Sequence, residues 1–222
     1  MKYGVIVFPG SNCDTDCYYA VKNEIKEDVE YIWHKETELP KGLDVIIVPG
    51  GFSYGDYLRA GAISKFANIM PEIIKFANNG GYVIGVCNGF QILTEVGLLP
   101  GALLHNNSQK FICKDVNLKV ISNTSKFTKN YKKDSLLTVP IAHGEGRFFI
   151  DKKGLKKIQD NDQIAFQYVD NDGNATDEAN PNGSLNNIAG VFNENKNVLG
   201  MMPHPERCNY SHKDSLQLFS IS

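Results

Sequence analysis

The most informative segment of the sequence is Tyr82-Val83-Ile84-Gly85-Val86-Cys87-Asn88-Gly89-Phe90-Gln91. It begins with an apolar run that is typical of a buried strand, and the helical pattern Phe90–Val96 follows it. Between them the sequence is Gly-x-Cys-x-Gly, so that small residues flank Cys87 on both sides. A nucleophile on a tight turn between a strand and a helix needs such small neighbours. The segment therefore predicts a nucleophilic cysteine at the carboxyl edge of a sheet.

The predicted helix start would also favour the reactive form of Cys87. Amide groups and the positive end of a helix dipole favour a thiolate over a thiol. The amide of Asn88 is then a candidate donor for an oxyanion hole. The alternative is that Cys87 is only a small buried residue, as most unpaired cysteines are. The two flanking glycines, Gly85 and Gly89, favour the nucleophile.

The segments around this turn predict an α/β fold. Runs rich in Val and Ile occur at Tyr3–Phe8, Asp44–Pro49 and Tyr82–Val86. Such continuous apolar runs are expected of parallel strands that helices cover on both faces. Residues Ile63–Ala77 have helical spacing, and Asn79-Gly80-Gly81 ends that helix. We therefore expect a doubly wound, mostly parallel sheet flanked by helices.

The sequence changes in character after Gly101. Short strand candidates separated by polar turns follow at Phe111–Val120, Leu136–Ile141, Ile164–Val169, Ile188–Phe192 and Val198–Met202. We expect them to add antiparallel hairpins to the sheet in the C-terminal half of the chain. A closing helix is predicted near Lys213–Ile221. Because no repeat or linker divides the sequence, residues 1–222 are expected to form a single domain.

The composition argues against several classes of function. The 222 residues carry 23 basic and 25 acidic side chains, a net charge of −2, so nucleic acid is disfavoured as the main partner. No stretch reaches the ~18 apolar residues of a membrane span, and no membrane association is expected. The five cysteines are odd in number and mostly far apart, which indicates the cytoplasm rather than a disulfide framework.

A base for Cys87 is predicted at His204, in the segment Met202-Pro203-His204-Pro205-Glu206-Arg207. This segment follows the strand candidate Val198–Met202, so it should also emerge at a sheet edge. The two prolines hold the backbone extended around the imidazole. In extended chain Glu206 points to the same side as His204 and is able to orient the ring through its second nitrogen.

A surface ion pair or a metal site is the alternative for His204 and Glu206. They would be half of a zinc site if His143 and Glu145 supplied the other two ligands. That tetrahedral site is the weaker interpretation, and no metal is expected in this chain. The sequence leaves open a direct role for His143 and Glu145 in the site.

A second segment, Cys13-Asp14-Thr15-Asp16-Cys17, also contains residue types that bind metals. It fits better a capped loop that enters a helix. Asp14 or Thr15 is expected to be the cap, because short polar side chains accept hydrogen bonds from the first turn of a helix.

The segment Pro49-Gly50-Gly51-Phe52-Ser53-Tyr54-Gly55-Asp56 follows a predicted strand and is too rich in glycine for an ordinary turn. Glycine lets backbone amides approach a ligand closely. In this position the loop would supply the second oxyanion donor. A phosphate-binding loop is the competing interpretation, but the segment lacks the Gly-Lys-Ser/Thr ending of that motif.

Taken together, these motifs resemble a known family. Gly-Val-Cys87-Asn-Gly-Phe-Gln, His204-Pro-Glu206 and Pro-Gly-Gly51-Phe-Ser-Tyr-Gly-Asp are similar to the class I (triad) glutamine amidotransferases. Ala-His-Gly-Glu-Gly-Arg-Phe, Asn-Pro-Asn-Gly-Ser and Met-Pro-His-Pro-Glu-Arg further resemble one branch, the glutaminase subunits of phosphoribosylformylglycinamidine synthases. The resemblance extends from Pro9 to Arg207, which is nearly the whole chain.

The resemblance implies roles for particular residues. Cys87 would be the nucleophile, His204 the general base and then acid, and Glu206 the residue that orients the imidazole. The positions that match the oxyanion hole and the glutamine pocket of the family are Gly51, Phe52, Asn88, Gln91, Asn107 and Ser108. The implied reaction is hydrolysis of glutamine to glutamate and ammonia through a thioester on Cys87.

The resemblance also implies partners. Ammonia would pass to a separate synthetase subunit that uses ATP and Mg²⁺ in purine biosynthesis, and a small third subunit is expected as well. No ATP motif or ribonucleotide site is found along this chain, so no cofactor is expected in it. A Cys-dependent hydrolase of similar fold and a non-catalytic regulatory module are the alternative functions.

Arginine is rare in this sequence and falls within the quoted motifs. Only Arg59, Arg147 and Arg207 occur among the 23 basic residues. Since arginine offers a fixed planar fork that lysine lacks, its retention suggests specific contacts. Our hypothesis is that Arg147 helps to dock the synthetase, with chance placement of the three arginines as the alternative.

Overall fold

The computed structural model describes residues 1–208 and 213–221 of the chain. In these ranges the strands are β1 (Lys2–Val7), β2 (Asp28–Trp33), β3 (Val45–Val48), β4 (Tyr82–Val86), β5 (Ala102–Leu104), β6 (Ile112–Val120), β7 (Leu136–His143), β8 (Arg147–Phe149), β9 (Ile164–Val169), β10 (Ile188–Phe192) and β11 (Val198–Met201). Within the same ranges, nine strands form one sheet in the order β2-β1-β3-β4-β11-β10-β9-β6-β7. The strands β5 and β8 form a separate antiparallel pair.

The large sheet has a parallel part and an antiparallel part. The neighbours β2, β1, β3, β4 and β11 are parallel, whereas the pairs from β11 through β10, β9 and β6 to β7 are antiparallel. The predicted α/β sheet with antiparallel hairpins in the C-terminal half is thus confirmed. Because β11 lies parallel to β4, the carboxyl ends of these two strands meet at one edge of the sheet.

The α-helices in the described ranges are α1 (Asp14–Tyr19), α2 (Met70–Asn78), α3 (Asn88–Glu95) and α4 (Lys152–Asp160). Helix α1 continues directly into a π-helical turn over Ala20–Ile25. Short 3₁₀ turns complete the chain at Ser53–Asp56, Ser64–Phe66, Leu185–Asn187, Pro205–Arg207 and Lys213–Phe219. None of the helices described is long and apolar enough to cross a membrane.

The middle of the sheet forms the core. Every residue of β3 and of β11 is buried, as are the last four residues of β4. This burial explains why the sequence of these strands is continuously apolar. Strand β2 lies at the edge, where Tyr31 is 45% exposed and Trp33 is 43% exposed.

The predicted helix Ile63–Ala77 is wrong in its extent. Its first part is a single 3₁₀ turn, Ser64–Phe66, after which Ala67 adopts an extended conformation. Helix α2 begins only at Met70, and Pro71 lies in its first turn. Proline suits this position because the first amides of a helix have no intrahelical acceptor.

Two predicted ends of helices also differ. The closing segment is a 3₁₀ helix, Lys213–Phe219, and it buries Leu216, Leu218 and Phe219. At α1 the N-cap is Cys13, which makes no capping hydrogen bond with its side chain. The two predicted caps, Asp14 and Thr15, instead lie inside the first turn, where the carboxylate of Asp14 accepts the amide of Thr15 at 2.7 Å.

Candidate active site

Cys87 occupies the turn between β4 and α3, as predicted. Its backbone adopts φ 49° and ψ −105°, a region that non-glycine residues enter only under strain. Its side chain is 5% exposed. Gly89 lets the start of α3 lie directly against β3. A Cβ atom at this position would be only 1.9 Å from the carbonyl oxygen of Val48. Only glycine permits this contact.

His204 and Glu206 lie at the same sheet edge, just after β11. The backbone amide of His204 donates to the carbonyl of Pro140 at 2.8 Å, which fixes the turn against β7. The Nδ1 atom of His204 and Oε1 of Glu206 are 2.6 Å apart. Both side chains are buried, so the carboxylate holds the ring in one orientation.

The charges around His204 favour its protonated form. Burial by itself lowers the pKa of the imidazole, but the anionic charge of Glu206 and the thiolate of Cys87 outweigh it and raise the pKa well above the usual value. The Nε2 atom is buried and has no hydrogen-bond partner among the residues described. It is therefore available to exchange a proton with a thiol and with a leaving group.

A cleft of about 180 Å³ opens beside Cys87. Its walls include Gly51, Phe52, Gln91, His143 and Glu145. The side-chain amide of Gln91 is held inside the wall, since its Nε2 atom donates to the carbonyl of Glu145 at 2.7 Å. This contact fixes one wall of the cleft, and Phe52, another lining residue, is 48% exposed.

Asn88 acts on the cleft through its neighbours. Its side chain is buried, and Nδ2 donates to Oε1 of Gln91 at 2.9 Å and to Asp56 at 3.2 Å. Its backbone amide is the first of α3, where helical amides have no acceptor within the helix. The backbone amide of Phe52 is already engaged, because it donates to the carbonyl of Gly10 at 2.9 Å. The donors that remain for an oxyanion are those of Asn88 and of Gly51.

Asn107 and Ser108 do not lie in this cleft. They line a neighbouring polar cavity of about 830 Å³, together with the segment Asn180–Asn187. The amide of Asn107 donates to the carbonyl of Asn182 at 3.0 Å, and its side chain packs directly on Gly183. These two predicted glutamine-binding residues therefore line a different cavity from Cys87.

Two acidic residues face the cleft together. Asp56 and Glu145 both line it, and burial, followed by the charge of Glu145, raises the pKa of Asp56 to about 6. The hydrogen bond from Asn88 opposes that shift. Sequence reasoning missed Asp56 as a site residue, although it ends the glycine-rich segment that was singled out.

His143 is a buried neutral residue of the site. Burial, and then the charge of His204, lowers its pKa to about 4. Its Nδ1 atom lies 3.2 Å from Oδ1 of Asn106, a residue that sequence reasoning also missed. In residues 1–208 and 213–221, the cluster of metal-ligand types is Cys13, His204 and Glu206, so the alternative zinc site with His143 and Glu145 is not assembled.

Arg147 begins β8 and is not among the residues that line the cleft beside Cys87. Its Nε atom donates to the carbonyl of His105 at 3.1 Å, and its side chain is half-buried.

Comparison with known proteins supports the same class of site. Residues 1–217 match the family of CobB/CobQ-like glutamine amidotransferase domains. A chain in the structure of PurLQS from Thermotoga maritima is 42% identical, with a TM-score of 0.84, over 99% of this chain and 95% of that chain. The glutaminase domain of Trypanosoma brucei CTPS with bound acivicin is 15% identical, with a TM-score of 0.61, over 100% of this chain and 92% of that chain. A putative GMP synthase protein from Thermoplasma acidophilum is 15% identical, with a TM-score of 0.60, over 99% and 91% of the two chains. At 15% identity, the last two proteins show only that this chain has the same fold.

The chain belongs to the family of CobB/CobQ-like glutamine amidotransferases. It is an enzyme that uses glutamine as the amido donor. The predicted resemblance to the glutaminase subunits of phosphoribosylformylglycinamidine synthases is confirmed by the match to PurLQS.

Proposed function

We propose that Cys87, His204 and Glu206 hydrolyse glutamine to glutamate and ammonia. The observation that carries this proposal is the arrangement at one sheet edge: a thiol on a strained turn, and a buried imidazole that a carboxylate holds at 2.6 Å. A nucleophile, a base and an orienting group are the parts that acyl transfer requires. The cleft beside Cys87 would accept the carboxamide end of glutamine.

The reaction follows from the positions of these groups. The Cys87 thiolate attacks the side-chain carboxamide carbon of glutamine, and the amides of Asn88 and Gly51 stabilise the oxyanion. Protonated His204 then gives its proton to the nitrogen, which leaves as ammonia. The glutamyl group stays on Cys87 as a thioester. His204 next takes a proton from water as the water attacks the thioester. Glutamate leaves, and the Cys87 thiolate is restored.

The ammonia would serve a separate synthetase subunit. The 42% identity to a chain of PurLQS over 99% of this chain supports a subunit of phosphoribosylformylglycinamidine synthase. In that complex the partner would use ATP and Mg²⁺ to convert formylglycinamide ribonucleotide into its amidine, and a small third subunit would complete the assembly. Purine biosynthesis of this kind, together with five unpaired cysteines, supports a place in the cytoplasm.

Arg147 is our candidate for a residue that docks the synthetase. Its guanidinium is fixed by one hydrogen bond to the backbone, and such preorganisation favours specific pairing with a carboxylate. We expect Arg147→Lys to weaken complex formation while ammonia release by the isolated chain stays within about twofold. Normal binding of the partner by this variant would exclude the role.

Ammonia release from glutamine tests the catalytic assignment. We expect the parent chain to release ammonia weakly alone and strongly with its synthetase, and Cys87→Ala to release none above background. Cys113→Ala, at an exposed cysteine, is the matched control and should keep parent activity. Activity in Cys87→Ala would contradict the mechanism. Hydrolysis of other amides or peptides in preference to glutamine would favour a Cys-dependent hydrolase, and no activity with any partner would favour a regulatory module.

A further inference from the structure

A second cysteine lies beside the buried histidine. The ligand atoms of Cys13, His204 and Glu206 all lie within 4.8 Å of one another, and the three side chains are buried. Gly50 lies where His204, Cys13 and the nucleophile come together. A Cβ atom at this position would be 2.8 Å from Cε1 of His204 and 3.3 Å from both Sγ of Cys13 and Cβ of Cys87. The mechanism above gives Cys13 no task.

Arg207 holds this sulfur from outside. Its Nη2 atom donates to Sγ of Cys13 at 3.0 Å, and its Nε atom lies 3.4 Å from Oδ2 of Asp16. Cys13 and Asp16 belong to the start of α1, whereas Arg207 directly follows Glu206 in the turn Pro205–Arg207. The guanidinium therefore ties the turn that carries the orienting carboxylate to helix α1, more than 190 residues earlier in the chain.

We propose that Cys13 and Arg207 are positioning residues, which link α1 to the His204–Glu206 pair and hold the imidazole toward Cys87. The inference rests on the proposed role of His204 as the base. The exposed contact between Arg207 and Asp16 contributes little by itself, because water and salt screen it. The inner contact to Cys13 is part-buried, with the sulfur itself buried, and a charge-assisted hydrogen bond of this kind fixes a direction as well as a distance.

The electrostatics agree with this role. Burial lowers the pKa of His204, whereas Glu206, then Cys87 and then Cys13 act to raise it. The same three donor types bind zinc in other proteins. Here the guanidinium carries a positive charge 3.0 Å from the sulfur, which disfavours a cation between these groups. The arrangement suits an internal link better than a metal site.

Cys13→Ala tests the link. We expect kcat for ammonia release to fall roughly 10- to 100-fold, with KM for glutamine within about twofold, because the base is displaced and substrate binding is not. The alkaline limb of the pH–rate profile should move to lower pH, since the imidazolium loses a stabilising neighbour. Cys13→Ser keeps a small polar atom and should recover part of kcat.

Cys17→Ala is the matched control. Cys17 lies in the same helix, one turn further on, and is fully buried. Its replacement should lower thermal stability without moving the pH profile. If Cys13→Ala does not fold, Arg207→Lys breaks the link from the half-exposed side and should show the same fall in kcat and the same pH shift.

The outcomes separate this inference from the proposed function. A parent chain that releases no ammonia with its synthetase would refute the proposed function itself. An active parent, with Cys13→Ala and Arg207→Lys at parent kcat and with an unchanged pH profile, would refute the positioning role alone. A pH shift that Cys17→Ala reproduces would also refute it, because loss of any buried sulfur from α1 would then suffice.

Discussion

Replacing Gly89 by alanine is expected to disable the enzyme without direct contact with substrate. A Cβ atom at this position would lie 1.9 Å from the carbonyl oxygen and 2.7 Å from the carbonyl carbon of Val48. Non-bonded carbon and oxygen atoms approach to about 3.3 Å, so α3 and β3 have to separate by about 1.4 Å. Both contacts are to backbone, and a rotamer change does not relieve them.

The displacement would act on the first turn of α3, which carries the Asn88 amide and follows Cys87 directly. A misplacement of about 1 Å costs on the order of 100-fold in rate, and we expect kcat of Gly89→Ala to fall by that factor. Overpacking of this kind destabilises by roughly 1–3 kcal/mol. Ammonia release measures the first effect, and urea unfolding followed by the fluorescence of the single tryptophan, Trp33, measures the second.

Gly80→Ala is the control for stability. Gly80 has φ +90° but no atom within 4 Å of an added Cβ, so alanine there costs roughly 1–2 kcal/mol of backbone strain with no clash. We expect this variant to unfold at lower urea with an unchanged kcat. If Gly89→Ala also kept kcat within twofold of the parent, the close approach of α3 to β3 would not be what positions the nucleophile.

Three further expectations concern charge. Glu206→Gln keeps the shape beside His204 but removes the anion that outweighs burial, so kcat for ammonia release should fall by roughly 100-fold or more; unchanged kcat would contradict the orienting role. His143 has a folded pKa of about 4, below its unfolded value, so the unfolded chain takes up the proton first as the pH falls. Between pH 6.5 and 4 the parent should therefore lose about 3 kcal/mol of unfolding free energy relative to His143→Gln. Equal pH dependence of the two proteins in urea titrations would contradict this prediction. The pKa of Asp56 is raised from its ordinary value of 3.8 to about 6 by burial and then by Glu145, so ionising this carboxyl costs the folded state stability. Asp56→Asn should therefore stabilise the protein fully at pH 8, keep part of that gain at pH 5 and lose it at pH 3.5. An equal gain at pH 8 and at pH 3.5 would count against this cause.

The central strands of the sheet could be predicted because they are apolar and largely buried on both faces. Strands β4, β9 and β10 have the predicted bounds, since apolar runs and turn residues mark their ends. Strand β2 was missed, because an edge strand need not be apolar: it carries Asp28 and Glu30 and leaves Tyr31 and Trp33 exposed. Helix α4 was missed for a related reason, since it is rich in lysine and buries only Ile158.

The site was predictable where one local motif determines a contact. The motif around His204 and Glu206 predicted their pairing, which the structure shows at 2.6 Å. The extended backbone predicted there is wrong, because Pro205–Arg207 forms a 3₁₀ turn that brings the carboxylate back to the ring. Contacts between distant segments left no local signal. The sulfur of Cys13 meets Arg207 only because α1 packs beside the turn after β11, and the contact of Asn107 with Gly183 likewise joins segments far apart in the sequence.

Trapping the covalent intermediate tests the central claim most directly. The chain, with its synthetase, is mixed with glutamine, quenched in acid and digested, and the glutamyl group is located by mass spectrometry. We expect it on the peptide that contains Cys87, bound as a thioester that hydroxylamine releases, and absent in Cys87→Ala. A glutamyl group on any other residue, or ammonia release by Cys87→Ala at the parent rate, would contradict the account.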